Sequence, residues 1–181
     1  MAIVQPSSSP TPLDLKGVSI QDKYWSSFIG LVRNTVIPYQ WEALNDRLPD
    51  TEPSHVMKNF RIAAGLEKGE FGGFFFQDTD LYKWLEAVGY SLAAAPDADL
   101  ERIADEAIDL LVSAQQEDGY LNTYFAVAQP GKRWTNLLDC HEMYSAGHLI
   151  EAAVAYYQGT GKTKLPDVAK RSADHIDSLF G

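Results

Sequence analysis

Asp139, Cys140, His141 and Glu142 stand together where a polar segment of the chain meets an apolar one. They offer two carboxylates, a thiol and an imidazole in four consecutive positions. Met143, Leu149, Ile150, Val154 and Tyr157 follow at spacings of three or four, which predicts a helix buried along those residues with the polar group in its first turn. Backbone N–H groups of a first turn have no intrahelical partner, so they can meet a substrate oxygen or an anion. Cys140 and His141 make a poor nucleophile and base, because neighbours on a helix point about 100° apart. As the single cysteine of the chain, Cys140 forms no internal disulfide and no thiolate metal site by itself. His141 and His148 lie seven residues apart on one helical face, yet the His-Glu-x-x-His spacing of metalloproteases is missing. A two-histidine metal site and a hydrogen-bonded core role for His148 are both open readings, and His141 can be functional or structural.

Further carboxylates fall in the segments between helices: Glu70, Asp78, Asp80, Glu117 and Asp118. Paired carboxylates divide the acid and nucleophile roles in most glycosidases. Against this, Asp78, Asp80, Asp118 and Asp139 also sit where caps and turns favour aspartate. Aromatic residues separate the function classes better. Phe74, Phe75, Phe76, Tyr120, Tyr124, Phe125 and Trp134 lie in segments expected to be loops, where they can form platforms for the apolar faces of a sugar ring or fill gaps between helix ends. Trp84, Tyr156 and Tyr157 are expected to serve packing.

The elements that must position these residues are helical. Residues 1–13, with clustered serine and proline, have the makeup of a disordered leader, and residues 14–181 form one domain. Asp22 is expected to cap a helix through Phe28, Leu31 and Val32, which Pro38 kinks or restarts, with helical residues running on from Tyr39 to Leu48. Ser54 is expected to cap a helix to Gly65. Glu70 to Asp80 reads as an ordered glycine-rich loop, with Asp78 or Asp80 capping a helix from Leu81 to Ala94 whose buried face is Leu81, Trp84, Leu85, Val88 and Leu92. A helix from Ala98 buries Leu100, Ile103, Ala107, Leu110, Leu111 and Ala114 and ends near Asp118-Gly119. The loop Tyr120 to Trp134 follows, and Gly159-Thr-Gly161 joins the opening helix to one from Pro166 to Phe180. Short turns alternate with long aromatic loops, so stacked antiparallel pairs should gather Phe74 to Asp78, Tyr120 to Trp134 and His141 on one rim.

Bulk properties exclude other classes. A formal charge of -10 over 181 residues argues against a nucleic acid partner. No apolar run of about 18 residues is present, so no membrane span and a cytoplasmic location are expected.

Four stretches carry a family resemblance: Val36-Ile-Pro-Tyr-Gln-Trp41, Phe76-Gln-Asp-Thr-Asp-Leu-Tyr-Lys-Trp-Leu-Glu86, Gln115-Gln-Glu-Asp-Gly-Tyr-Leu-Asn-Thr-Tyr124, and His141-Glu-Met-Tyr144 followed by Gly147-His-Leu-Ile-Glu-Ala-Ala153. From about Val18 to Gly181 the chain resembles the β-L-arabinofuranosidases of glycoside hydrolase family 127. The resemblance implies an all-α fold of antiparallel helical hairpins forming part of an (α/α)6 toroid, with β-sandwich domains after it. It also implies retaining release of terminal β-L-arabinofuranosyl groups, with an arabinofuranose-containing glycan as partner. In that family the nucleophile is a cysteine on a zinc ion held by three cysteines and a glutamate, and another glutamate is the acid/base. One cysteine cannot supply that set, so no catalytic residue, metal ligand or cofactor is assigned here. Phe76 and His141 carry over as sugar-pocket residues, with Asp78 and Tyr144 from the same motifs. The chain is then expected to be the N-terminal part of such an enzyme, inactive alone and prone to self-associate through uncovered helix faces. The alternative is a non-catalytic helical carbohydrate-binding or scaffold module.

Overall fold

The computed structural model describes residues 13–181, so all but the last residue of the expected leader lies outside the described residues. Eight α-helical segments and no strand occur among them: α1 (Trp25–Leu31), α2 (Ile37–Leu44), α3 (Val56–Ala63), α4 (Asp78–Ala94), α5 (Ala98–Ala114), α6 (Thr123–Val127), α7 (Glu142–Thr160) and α8 (Lys164–Phe180).

Pro38 acts as its chemistry requires. It has no N–H to return to the preceding turn, and α1 passes into α2 through a π-helical turn at Val32–Val36. Asp22 accepts the Tyr24 and Trp25 N–H groups at 2.8 and 2.6 Å, which starts α1 as expected. The rod then ends at Leu44, short of Leu48, because the chain turns through Asn45 and a left-handed Asp46 (φ 57°). Asp46 accepts the His55 N–H at 2.9 Å, and α3 starts from His55 at φ 62° with no side-chain cap. Ser54 therefore does not cap α3. Its carbonyl accepts Gln77 Nε2 at 2.6 Å.

The core is built on α4. Leu81, Trp84, Leu85, Val88 and Leu92 are all buried, Trp84 stacks on Trp41 at 4.6 Å, and its indole N–H meets the Ile37 carbonyl at 3.0 Å. On α5, Ala107, Leu111 and Ala114 are buried as expected, together with Ala104 and Ile108, whereas Leu100, Ile103 and Leu110 are only half-buried.

Helix α7 differs from its sequence pattern. Ile150, Val154 and Tyr157 are exposed, and the buried face is Ser145, Ala146, Leu149, Ala152, Ala153, Ala155, Tyr156 and Gly159. The reason is close packing: a Cβ on Gly89 of α4 would lie 2.6 Å from the Ala155 carbonyl carbon, so the two backbones are already in contact there. Small residues win that interface, and the larger apolar ones are turned outward.

Side-chain pairs fix the directions. Lys83 meets Tyr144, Gly89 faces Ala155, and Gly159 sits against Gly89 and Ala93, so α4 and α7 run parallel. Lys162 pairs with Asp105, Lys164 with Asp109 at 2.5 Å, and Gln115 with the Val168 carbonyl, so α5 and α8 also run parallel. Two helical hairpins, α4 with α5 and α7 with α8, thus stack in the same sense, with short turns at one end and the aromatic loops at the other. Arg33 fastens α1 to this stack. Its guanidinium donates to the carbonyls of Ser91, Ala95 and Pro96 at 3.3, 2.8 and 3.2 Å, where α4 ends. Charge-assisted bonds contribute about 1.5–3 kcal/mol, so Arg33→Ala should lower stability by about that amount in urea unfolding.

Candidate functional site

The long loops meet on one rim, and the residues between α3 and α4 form its first wall. Asn59 of α3 is fully buried and clamps Gly72 by both backbone groups, its Nδ2 donating to the carbonyl at 2.9 Å and its Oδ1 accepting the N–H at 3.1 Å. Gly73 follows at φ 82°, where a side chain would run into Gln77, whose Oε1 accepts the Phe74 N–H at 2.7 Å. This turn presents three phenylalanines in sequence. Phe74 and Phe76 stack at 5.5 Å with planes 9° apart, and Phe75 stands edge-on to Phe76 at 5.2 Å.

The second wall is the start of α7. His141 precedes that helix at φ 56°, a left-handed conformation that costs an L-residue energy and is held here by its surroundings. Its ring contacts Phe75 at 5.5 Å, Phe76 at 5.8 Å and Tyr144 at 5.7 Å. Nδ1 lies 2.8 Å from the Asp139 carbonyl oxygen, which can only accept. Nδ1 therefore carries a proton, and Nε2 is the ring nitrogen left to meet a ligand hydroxyl. The same bond takes Nδ1 away from Cys140, so the pair makes no nucleophile and base.

Phe76, His141 and Tyr144 line one open cleft of about 510 Å³ with Asp80, Lys83 and Leu138. Lys83 Nζ donates to the Tyr144 hydroxyl at 2.9 Å. Burial pushes the Asp80 carboxyl above its ordinary value, with the Lys83 charge opposing it. An aromatic face, an imidazole, a phenol, an ammonium and a carboxylate in one cleft match a ring with an apolar side and hydroxyl edges.

Asp78 has a different place from the one its motif implies. It is the first residue of α4, 2% exposed, with Oδ2 accepting the Thr123 N–H at 2.7 Å and Oδ1 accepting the Thr123 hydroxyl at 2.5 Å. It neither lines the cleft nor caps α4. Helix α4 starts three residues before Leu81, which turns Asp78 inward to bind the short helix α6, an element the sequence pattern does not reveal. Burial raises its pKa to about 6, with the two Thr123 bonds pulling the other way.

Glu142 is likewise an anchor. It is buried, accepts the Tyr120 hydroxyl at 2.5 Å and the Trp134 N–H at 2.8 Å, and so ties both ends of the 120–134 loop to α7. Burial raises its pKa against those two bonds. Trp134 in turn donates from Nε1 to His175 Nε2 at 3.1 Å, and His175 Nδ1 donates to the Asp118 carbonyl at 3.0 Å, which joins α8 to the same loop. Asp118 serves its turn, accepting the Tyr120 N–H at 3.1 Å. His148 lies below Tyr144, whose ring contacts both histidines, at 5.7 Å for His141 and 4.5 Å for His148, and stands between them. The two imidazoles do not form one site. The anchoring roles of Asn59, Gln77, Thr123 and Tyr120, which hold the rim, leave no periodic signal, since each bonds a group far along the chain.

Comparison with known proteins agrees with this layout. The family profile described as "Beta-L-arabinofuranosidase, GH127 catalytic domain" matches residues 17–180. The chain is 41% identical over 180 residues to the non-reducing end beta-L-arabinofuranosidase of Bifidobacterium longum subsp. longum, covering 91% of this chain and 27% of that protein. It superposes on a GH127 beta-L-arabinofuranosidase from Geobacillus stearothermophilus T6 with TM-score 0.89 and 58% identity, over 90% of this chain and 26% of that one. A GH127 beta-arabinofuranosidase structure gives TM-score 0.81 and 33% identity, over 91% and 26%. The chain thus spans about a quarter of the length of these relatives. Its paired helices are part of an (α/α)6 toroid, and the chain belongs to the GH127 beta-L-arabinofuranosidase catalytic-domain family.

Proposed function

We propose that this chain supplies one wall of a pocket for a terminal β-L-arabinofuranosyl group in a retaining glycoside hydrolase. The observation that carries the reading is the cleft in which Phe76, His141 and Tyr144 meet, with His141 Nε2 free of the bond that holds Nδ1. Phe76 faces the apolar side of the sugar, and His141 Nε2 and the Tyr144 hydroxyl meet its hydroxyls. The zinc and thiolate chemistry implied by the family does not fit the donors present, because the sequence holds one cysteine, half-buried Cys140. No reaction step is assigned to these residues. Bond cleavage belongs to groups outside them.

Isothermal titration with methyl β-L-arabinofuranoside tests the binding role. His141→Ala should weaken binding about three- to tenfold, the loss expected for one hydrogen bond, and Phe76→Ala should also weaken it. Equal affinity in His141→Ala and the parent chain would remove histidine from the pocket. The chain alone should not hydrolyse the aryl β-L-arabinofuranoside used as a reporter substrate, with or without added zinc. Measurable turnover would contradict the assignment of chemistry elsewhere.

The uncovered faces bear on partners. Ile150, Val154 and Tyr157 of α7 and Trp25, Phe28, Ile29 and Val32 before α2 are exposed. Such stripes favour association. Sedimentation of the purified chain should show species larger than 20.1 kDa. A self-contained carbohydrate-binding module would sediment as a monomer.

A further inference from the structure

Below the cleft, the parallel run of α4 and α7 brings together Glu86 of α4 with His148 and Glu151 of α7. One donor atom from each residue lies within 4.8 Å of the other two. His148 and Glu151, three apart on one helix, project the same way. A second observation concerns the imidazole itself. His148 Nδ1 is buried and has no hydrogen-bond partner, although Glu151 Oε2 is only 3.0 Å away. The separation suits an ion pair or a shared cation, and the angle does not suit an N–H···O bond. The Tyr144 ring, edge-on at 4.5 Å, fixes the imidazole in this orientation. A cation bound here would accept the imidazole lone pair and neutralise two carboxylates at once.

We propose that Glu86, His148 and Glu151 form a three-donor site for a divalent transition metal ion of the zinc class. One nitrogen and two carboxylate oxygens suit zinc or manganese, whereas calcium and magnesium take oxygen donors. With metal–ligand bonds of ~2.1 Å, donors around a tetrahedral ion stand about 3.4 Å apart. The His148 and Glu151 pair is already within that spacing. Glu86 closes the remainder by rotating a half-buried side chain with three torsions. Three protein donors leave a fourth position for water. The site uses no cysteine, and it stands or falls separately from the sugar-binding reading.

Equilibrium dialysis of the purified 181-residue chain against Zn²⁺, with Co²⁺ absorption as a second readout of nitrogen and oxygen coordination, tests the proposal. The expected result is one equivalent bound, at least tenfold weaker binding in both His148→Ala and Glu151→Gln, and unchanged binding in His141→Ala. Glu151 is largely exposed, so Glu151→Gln leaves the fold intact, and circular dichroism verifies this in each variant. Any other pattern overturns the site, whether no saturable binding, binding indifferent to both variants, or loss caused by His141→Ala.

Discussion

Replacing Gly89 with alanine should destabilise the chain by about 3 kcal/mol or more, while the same change at Gly147 should stabilise it by about 0.5–1 kcal/mol. Both glycines lie inside helices, and intrinsic propensity alone favours alanine equally at each. Packing decides the sign. A Cβ on Gly89 would lie 2.6 Å from the Ala155 carbonyl carbon and 2.7 Å from both the Ala155 oxygen and the Tyr156 nitrogen. These are backbone atoms, so α4 and α7 must move apart. Such a shift disturbs the buried face of Leu149, Ala152 and Tyr156 and the rim above it. At Gly147 nothing lies within 4 Å of the added atom. Urea midpoints of the two variants, compared at equal slope, measure the difference directly. Midpoints moving in the same direction would contradict the close contact of α4 and α7.

Asp78→Asn should make the chain more stable at pH 7.5 and remove much of its pH dependence between about pH 4 and 6. The Asp78 carboxyl is raised from 3.8 to about 6, chiefly by burial. Between those values the folded chain holds a proton that the unfolded chain has lost. Stability from this group is therefore complete below the unfolded pKa and disappears as pH rises through the folded one. Two pKa units correspond to ~3 kcal/mol, an upper figure for the loss. Asparagine is neutral at every pH here. Its Oδ1 can accept the Thr123 N–H and its Nδ2 can donate to the Thr123 hydroxyl, which keeps α6 in place. Glu142, also raised by burial, leaves a residual slope of the same sign in the variant. Thermal unfolding of both chains across this pH range gives the comparison. A variant that is less stable at pH 7.5, with the slope of the parent, would show Asp78 to be ionised and stabilising.

The parts of the fold that were legible in sequence are those stabilised by large residues. Helix α4 announces its buried face because Leu81, Trp84, Leu85, Val88 and Leu92 are both bulky and periodic. Helix α7 misleads, since its core side is mostly alanine, serine and glycine around Leu149 and Tyr156, and its outer side holds Ile150, Val154 and Tyr157. Composition ranks those faces by hydrophobicity, whereas the structure ranks them by how closely a backbone can approach. The nearness of Phe76 and His141 was legible from the alternation of short turns and long loops, which is a property of stacked hairpins. What holds them was not. Asn59 to Gly72, Gln77 to Ser54 and Asp78 to Thr123 are polar contacts across 13, 23 and 45 residues, and they leave no periodic trace. The starts of α3 and α7 were legible to within a few residues, but their capping residues, His55 and His141, were not. Both adopt positive φ without the glycine or asparagine that signals it.

The account depends on a sugar meeting the rim where Phe76 and His141 converge. Titration of the ¹⁵N-labelled chain with methyl β-L-arabinofuranoside, followed by amide and imidazole shifts, locates the ligand directly. Saturable shifts centred on Phe76, His141 Nε2 and Tyr144 are the predicted result. Shifts confined to the exposed faces of α1, α7 or α8, with His141 Nε2 unmoved at saturation, would contradict it.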